Sequence, residues 1–248
     1  MNDQDANPIE VFKRECVERV AANGRDQALK EAAVRMMREM ARVKYSYNMT
    51  WLGRPILQGP QELVAMQEII WKVKPDLIIE TGIAHGGSLV FYASMLEILG
   101  RGKIVGIDID IRPHNRAEIE KHPLFHRMTL VEGSSVDQKN AEKICQMTVS
   151  AKKIMVCLDS NHTHDHVFKE LEIYAPLVSV GSYCVVFDTG IEFYDDPETS
   201  GRPWGPGNSP MSAVWHYLKN HPEFRPDLNV DNKYLLIGSP SGYLERIS

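Results

Sequence analysis

Five short apolar runs, each closed by an acid, alternate with segments whose apolar residues recur every three or four positions. The runs are Leu77-Ile78-Ile79 before Glu80, Ile104 to Ile107 before Asp108, Met128 to Val131 before Glu132, Ile154 to Leu158 before Asp159, and Tyr183 to Phe187 before Asp188. Their length suits buried strands. Helical spacing separates them. Leu63, Met66, Ile69, Ile70 and Val73 share one face of a helix over Glu62–Val73, which Pro75 stops. Ser88–Leu99 reads as a second helix, Val167, Leu171, Ile173 and Tyr174 mark a third with Thr163 as its cap, and Met211–Leu218 a fourth. Strands alternating with helices build β-α-β units with right-handed crossovers, which is a parallel α/β sheet.

The flanks differ. Pro8 to Val43 is helical and polar, with stripes Val11-Val17-Val20-Ala21 and Ala32-Ala33-Met36-Met37-Met40 on either side of Gly24. These helices are expected outside the main sheet, their methionines packing as core. Tyr45–Gln61 is a long connection rich in aromatics, Gly and Pro; it either covers a site or is a packed crossover anchored by Trp51. Ile109–Arg116 reads by default as a solvated turn, with Asp110 and Arg112 as the residues there that could also touch a ligand. Ile191–Pro210 is a Gly/Pro-rich loop expected to fold over the strand ends. Lys233–Gly238 with Gly242–Arg246 reads as a terminal hairpin.

Composition narrows the classes. The chain has 248 residues, 43% of them hydrophobic, enough for one large α/β domain with extensions. A net charge of −5 argues against a general nucleic-acid surface. No apolar run would span a membrane, and Met1–Asn7 carries no signal-peptide pattern, so a cytoplasmic protein is expected. Cys16, Cys145, Cys157 and Cys184 form no Cys-x-x-Cys pair and read as buried thiols.

The chemistry gathers where strands end. Glu80-Thr81-Gly82-Ile83-Ala84-His85-Gly86-Gly87-Ser88 is a strand, a tight turn and a helix start, and its glycines would let a ligand approach the backbone. Asp108 is placed for ribose hydroxyls, and Ser135 for the flank of an adenine ring. The spacing is not G-x-G-x-x-G, and Glu80 would repel a pyrophosphate but tolerate a cationic amino-acid tail. S-adenosylmethionine therefore fits better than NAD, which leaves an NAD(P)-dependent oxidoreductase as the weaker reading. Glu80, Asp108, Asp159 and Asp188 all close strands on one sheet edge, so that edge reads as a site.

Asp159 and Asp188 form a pair that would share a proton or a cation. With oxygen ligands, Mg²⁺ is the natural ion. It would orient a substrate hydroxyl and lower its pKa. His162, three residues past Asp159, reads as a general base, with Asp159 as the other candidate. His162, His164 and His166 invite a zinc reading, but they lack the H-E-x-x-H pattern and a nearby cysteine. His85 contacts either a cofactor or its own loop.

In order, Ile79-Glu80-Thr81-Gly82 with Gly86-Gly87-Ser88, Gly106 to Asn115, Leu158-Asp159-Ser160-Asn161-His162-Thr163-His164, Val186-Phe187-Asp188-Thr189, and Arg202-Pro203-Trp204-Gly205 with Gly207-Asn208 resemble the cephalosporin hydroxylase / rhamnosyl O-methyltransferase family. The resemblance covers about Trp51 to Ile247. It implies a class I methyltransferase fold: a Rossmann-like, mostly parallel seven-stranded sheet with helices on both faces. It implies S-adenosylmethionine at Glu80, Gly82, Ser88, Asp108 and Ser135, with His85, Gly86, Gly87 and Asp159 adjoining, and a divalent metal at Asp159 and Asp188. Where some members carry a further acid beside each metal Asp, this chain has Asn161 and Phe187. The third ligand is then Asn161, His162, Thr189 or water.

The expected organisation is an N-terminal helical extension over 1–50 and a cofactor-binding domain over 51–248. The expected activity is S-adenosylmethionine-dependent, metal-assisted O-methylation of a sugar, glycoside or related small molecule, with loops around Trp51 and Trp204 as wall and lid. The alternative is an inactive cofactor-binding scaffold. The amphipathic N-terminal helices are candidates for a homo-oligomer interface, and neither a nucleic-acid partner nor a membrane span is expected.

Overall fold

The computed structural model describes residues 7–193 and 201–248. The part of the Ile191–Pro210 loop at 194–200, and residues 1–6, lie outside the described residues.

Seven strands form one sheet: β3 (Leu77–Thr81), β4 (Lys103–Asp108), β5 (Met128–Glu132), β6 (Ile154–Leu158), β7 (Tyr183–Val186), β8 (Phe224–Pro226) and β9 (Tyr243–Arg246). Their order is β5-β4-β3-β6-β7-β9-β8. The first five are parallel, and β9 runs antiparallel to both β7 and β8. This is the expected Rossmann-like, mostly parallel seven-stranded sheet. A two-stranded hairpin, β1 (Met49–Trp51) with β2 (Arg54–Ile56), precedes it.

Successive strand residues face opposite layers, because side chains alternate along a strand. Ile78, Met155 and Cys157 join one core with α3 (Pro60–Val73), α4 (Gly87–Ile98) and Val230 of α9 (Leu228–Tyr234). Leu77, Ile79 and Val156 join another with α6 (Gln138–Thr148), α7 (His164–Tyr174) and α8 (Pro210–Leu218). Both faces of the sheet are therefore covered, which is why the strands read as unbroken apolar runs.

The remaining helices are α1 (Pro8–Arg25), α2 (Gln27–Arg42) and α5 (Pro113–Glu120). No residue of α1 is buried, and Ala33 alone is buried in α2. Met36 is exposed while Met37 and Met40 line a cavity, so these methionines are not core. The reason is position: α2 lies across the cavity at the strand ends, not on the sheet.

Three further expectations are corrected. The terminal hairpin pairs β9 with Phe224–Pro226, not with Lys233–Gly238. Lys233 and Tyr234 end α9, and Leu235 breaks the chain at φ +57°. The turn after Asp108 gives way to helix at Pro113, whose fixed φ suits a first helical turn, and Asn115 and Ile119 are buried. Cys157 and Cys184 are buried thiols, but Cys16 is half-buried and Cys145 exposed, on the solvent side of α6 where Ile144 is the buried residue. Among the described residues, no helix is long and apolar enough to cross a membrane.

Candidate active site

The carboxyl ends of β3, β6 and β7 open into a cavity of about 380 Å³. Asp159 and His162 follow β6, and Asp188 follows β7. Their candidate donor atoms all lie within 4.8 Å of one another. His162 Nε2 is 3.2 Å from Asp188 Oδ2, and the imidazole meets the Trp204 ring edge-on at 5.0 Å. Asp188 is held at φ +56°, unusual for a residue with a Cβ. Its backbone N–H donates to Ser239 Oγ at 3.1 Å, and that hydroxyl donates to Glu62 Oε1 at 2.7 Å.

Acids dominate this corner electrostatically. Burial raises the Asp159 carboxyl well above the usual carboxylate range, and neighbouring Asp188, Glu80 and Glu62 raise it further; the Gln58 amide offsets part of this. Burial pushes Glu62 up to about 7 against the Ser239 hydrogen bond, with Asp188 adding to the rise. Burial likewise pushes Glu80 up to about 8 against the Ser88 hydrogen bond, with Asp108 adding. Carboxyls crowded in this way gain most from a cation. Two carboxylates and an imidazole are donors that a divalent ion accepts.

The glycine turn is built by its own chain. Glu80 is fully buried beneath it and accepts from Ser88 Oγ at 2.9 Å. Asp108 Oδ2 accepts from the N–H groups of Ile83 and Ala84 at 2.7 and 3.1 Å. Gly82 has φ +87°, and a Cβ there would overlap the Asp159 carbonyl. Gly82, His85, Gly87 and Ser88 line the cavity with Asp159, His162 and Asp188; Glu80, Gly86, Asp108 and Ser135 do not. Ser135 is buried, with its Oγ 3.1 Å from His166 Nε2.

The three histidines separate. His162 faces Asp188, His164 lies 2.8 Å from Ser212 Oγ and 3.3 Å from His216, and His166 meets Ser135, Ser160 and Glu170. They do not share one centre. Asn161 Oδ1 accepts from the Thr163 N–H and hydroxyl, and Thr189 Oγ1 donates to the Pro240 carbonyl. Of the three side chains considered as a third ligand, His162 stands with the two aspartates, while Asn161 Oδ1 and Thr189 Oγ1 are engaged in those local bonds. Thr163 takes the N-cap position of α7 without a side-chain cap bond.

Trp51 is an anchor, not a cavity wall: its Nε1 donates to Ser94 Oγ at 3.1 Å and its ring packs edge-on against Phe91. Other parts of the same connection, Tyr45 to Tyr47 and Pro55 to Gly59, do line the cavity, as does Trp204. Several residues here were not evident from the sequence. Arg54 donates to the His85 carbonyl and to Asn115 Oδ1, and Asn115 donates to the Ala84 carbonyl, which pins the turn from outside. Gln58, Glu62 and Ser239 sit in segments with no chemical motif; Glu62, three residues past Gly59, carried only the signal of a helix N-terminus.

The model of the family described as Rhamnosyl O-methyltransferase/CmcI matches residues 43–247. The chain belongs to the rhamnosyl O-methyltransferase/CmcI family. The match begins at the C-cap of α2, upstream of Trp51. Curated relatives named rhamnosyl O-methyltransferase include that of Mycobacterium tuberculosis, 32% identical over 201 residues, with 79% of this chain and 78% of the relative covered. The Mycobacterium leprae protein of the same name is 28% identical over 202 residues, covering 79% and 82%. Among solved structures, an apo structure of CmcI superposes with a TM-score of 0.56 at 19% identity, over 82% of this chain and 77% of that one. CmcI with Mg and SAM gives 0.55 at 19% identity, over 82% and 78%. These two confirm the fold that the family shares.

Proposed function

We propose that this protein is an S-adenosylmethionine-dependent, divalent-metal-assisted O-methyltransferase whose acceptor is a hydroxyl of a sugar or glycoside. The observation that carries the reading is the convergence of Asp159, His162 and Asp188 within 4.8 Å at the floor of a cavity walled by the glycine turn. The sugar acceptor rests on the relatives' name, rhamnosyl O-methyltransferase. Asp159 and Asp188 would hold the ion. When bound, the cofactor would supply an electrophilic methyl group, and the ion would lower the pKa of the acceptor hydroxyl.

The chain's own residues do the rest. With the two aspartates holding the ion, His162 is left to take the acceptor's proton, and Asp188, 3.2 Å from its Nε2, steadies the resulting imidazolium. Trp204 meets the His162 ring edge-on and lines that side of the cavity. Rigid strand ends hold the carboxylates, so most of the rate enhancement comes from positioning.

The test is S-adenosylhomocysteine formation with a panel of rhamnosides and other glycosides, with Mg²⁺ and with a chelator. Turnover abolished by the chelator and by Asp159→Ala is expected. Turnover indifferent to both would remove the metal role. Cofactor binding without turnover of any acceptor would favour the inactive scaffold.

A further inference from the structure

Ala33, Met37, Met40 and Ala41 recur at i, i+4, i+7 and i+8 along α2, which is one apolar face of a helix. Ala33 is buried, while Met37, Met40 and Ala41 line the cavity. The helix is tied to the body of the protein at two places. Just before it, Asn23 Nδ2 donates to the Asn232 carbonyl at 3.1 Å, and a Cβ on Gly24 would come within 2.6 Å of Asn232 Nδ2. Further along, the Arg38 guanidinium donates twice to the Phe193 carbonyl, at 3.3 and 3.0 Å. Phe193 ends the 3-10 turn Thr189–Phe193, which starts directly after Asp188. The sheet order β3-β6-β7 puts the glycine turn after β3 on one side of Asp159 and Asp188 on the other. Met37 and Met40, on either side of Arg38 in the chain, therefore belong to the Asp188 side of the cavity.

The wall around these methionines is mainly of one kind. Tyr45, Leu57, Trp204 and Leu236 share it, and none of them is buried. The cations that line it, Lys44 and Arg202, are exposed, and Arg202 lies over the Trp204 ring at 5.2 Å. The two aspartates and the imidazole answer to a single hydroxyl of an acceptor, but they do not account for this wall. A bare sugar pressed against it would give up water from its hydroxyls without gaining partners. An apolar group would instead cover apolar surface on both sides. Methionine suits such a contact, because its unbranched, polarizable chain adapts to irregular shapes. The occupant that fits is an apolar aglycone carried by the sugar.

We propose that α2 is the acceptor-selecting wall of this protein, with Met37 and Met40 receiving the apolar aglycone of a glycoside whose sugar hydroxyl lies at Asp159, His162 and Asp188. This rests on the O-methyltransferase reading above and names the second half of its acceptor. α2 ends at Arg42, and the family model matches from residue 43, so the selecting residues lie outside the part this chain shares with the family.

The experiment compares methyl transfer to matched hexyl and methyl glycosides of rhamnose and glucose, with titration of the same glycosides and of S-adenosylhomocysteine. Wild type should favour the hexyl glycoside on the order of tenfold or more in kcat/KM, through KM. Met37→Ala/Met40→Ala should lose most of that preference and stay within about twofold of wild type on the methyl glycoside. Met40→Glu should lose it as well, because a carboxylate then faces the hexyl chain. Met36→Ala, on the exposed side of the same helix, should match wild type on both. S-adenosylhomocysteine affinity should be the same in all four proteins. Wild type without a hexyl preference, or a double variant that loses both acceptors equally, overturns the proposal. A Met36→Ala loss equal to that of the double variant also overturns it, by assigning the effect to the folding of the helix. Wild type that binds the hexyl glycoside through Met37 and Met40, yet binds no S-adenosylhomocysteine and methylates nothing, overturns the methyltransferase reading and leaves the wall standing.

Discussion

Glu80 illustrates how burial sets the chemistry of a single residue. Its ordinary value near 4.5 rises to about 8 because the carboxyl is fully buried. Between those values the folded protein keeps a proton that the unfolded chain has lost. The stability from this group is complete below about 4.5 and is lost as pH rises to about 8. Glu80→Gln keeps an acceptor for Ser88 and removes the titration. Its melting temperature should exceed that of wild type at pH 8.5, and the gap should close towards pH 5; an offset equal at both pH values would assign the effect to packing. His162 makes a different prediction at the same scale. Wedged between Asp188 and the edge of Trp204, it is set to receive one proton. His162→Ala should lower kcat by roughly 10²–10⁴-fold while leaving S-adenosylhomocysteine affinity unchanged, as steady-state rates and titration would measure.

The elements meet at backbone distance. A Cβ on Gly87 would overlap the Pro55 carbonyl and reach 2.7 Å from Ile56 Cα, and neither atom can rotate away. Gly87→Ala should therefore push β2 off α4, at a cost of about 1–3 kcal/mol or more, read as a lower denaturation midpoint and weaker cofactor binding. This contact also marks what a sequence can reveal. The runs ending at Glu80, Asp108, Asp159 and Asp188 announced parallel strands, because a two-sided burial leaves its mark in every residue of a strand. The glycines announced a tight turn, but not that their missing Cβ atoms make room for Asp159 and Pro55 as well as for a ligand. Partners of that kind lie far apart in the chain. The same applies to Gln58 and Ser239, whose roles depend on neighbours brought together only by the fold. The C-terminal hairpin misled because Tyr234-Leu235-Leu236-Ile237 is apolar like a strand, while the shorter Phe224–Pro226 supplies the pairing.

For the whole molecule, the surface and the site make separate predictions. No residue of α1 is buried, and Ile9, Phe12 and Val17 stand exposed along it. We expect a second copy of the chain to cover this helix; light scattering should give a homo-oligomer, and Phe12→Glu should dissociate it. The site prediction concerns charge. Glu62, Asp159 and Asp188 are delivered to one cavity by α3, β6 and β7, so their mutual repulsion opposes the assembled fold. A divalent cation bound there reverses that opposition. At a Mg²⁺ or Mn²⁺ concentration 100 times its Kd, binding adds about 2.7 kcal/mol to stability. At about 2–4 °C per kcal/mol, the melting temperature should rise by roughly 5–10 °C. The raised Asp159 carboxyl must lose its proton for the ion to bind, so the gain should shrink as pH falls and binding should release protons into weakly buffered solution. Asp188→Asn should remove both effects while leaving the metal-free melting temperature at or slightly above that of wild type, because the substitution relieves the repulsion on Glu62 and Asp159 and half of the Asp188 side-chain surface is exposed. A cation-induced rise that survives this substitution would place the ion elsewhere on the protein.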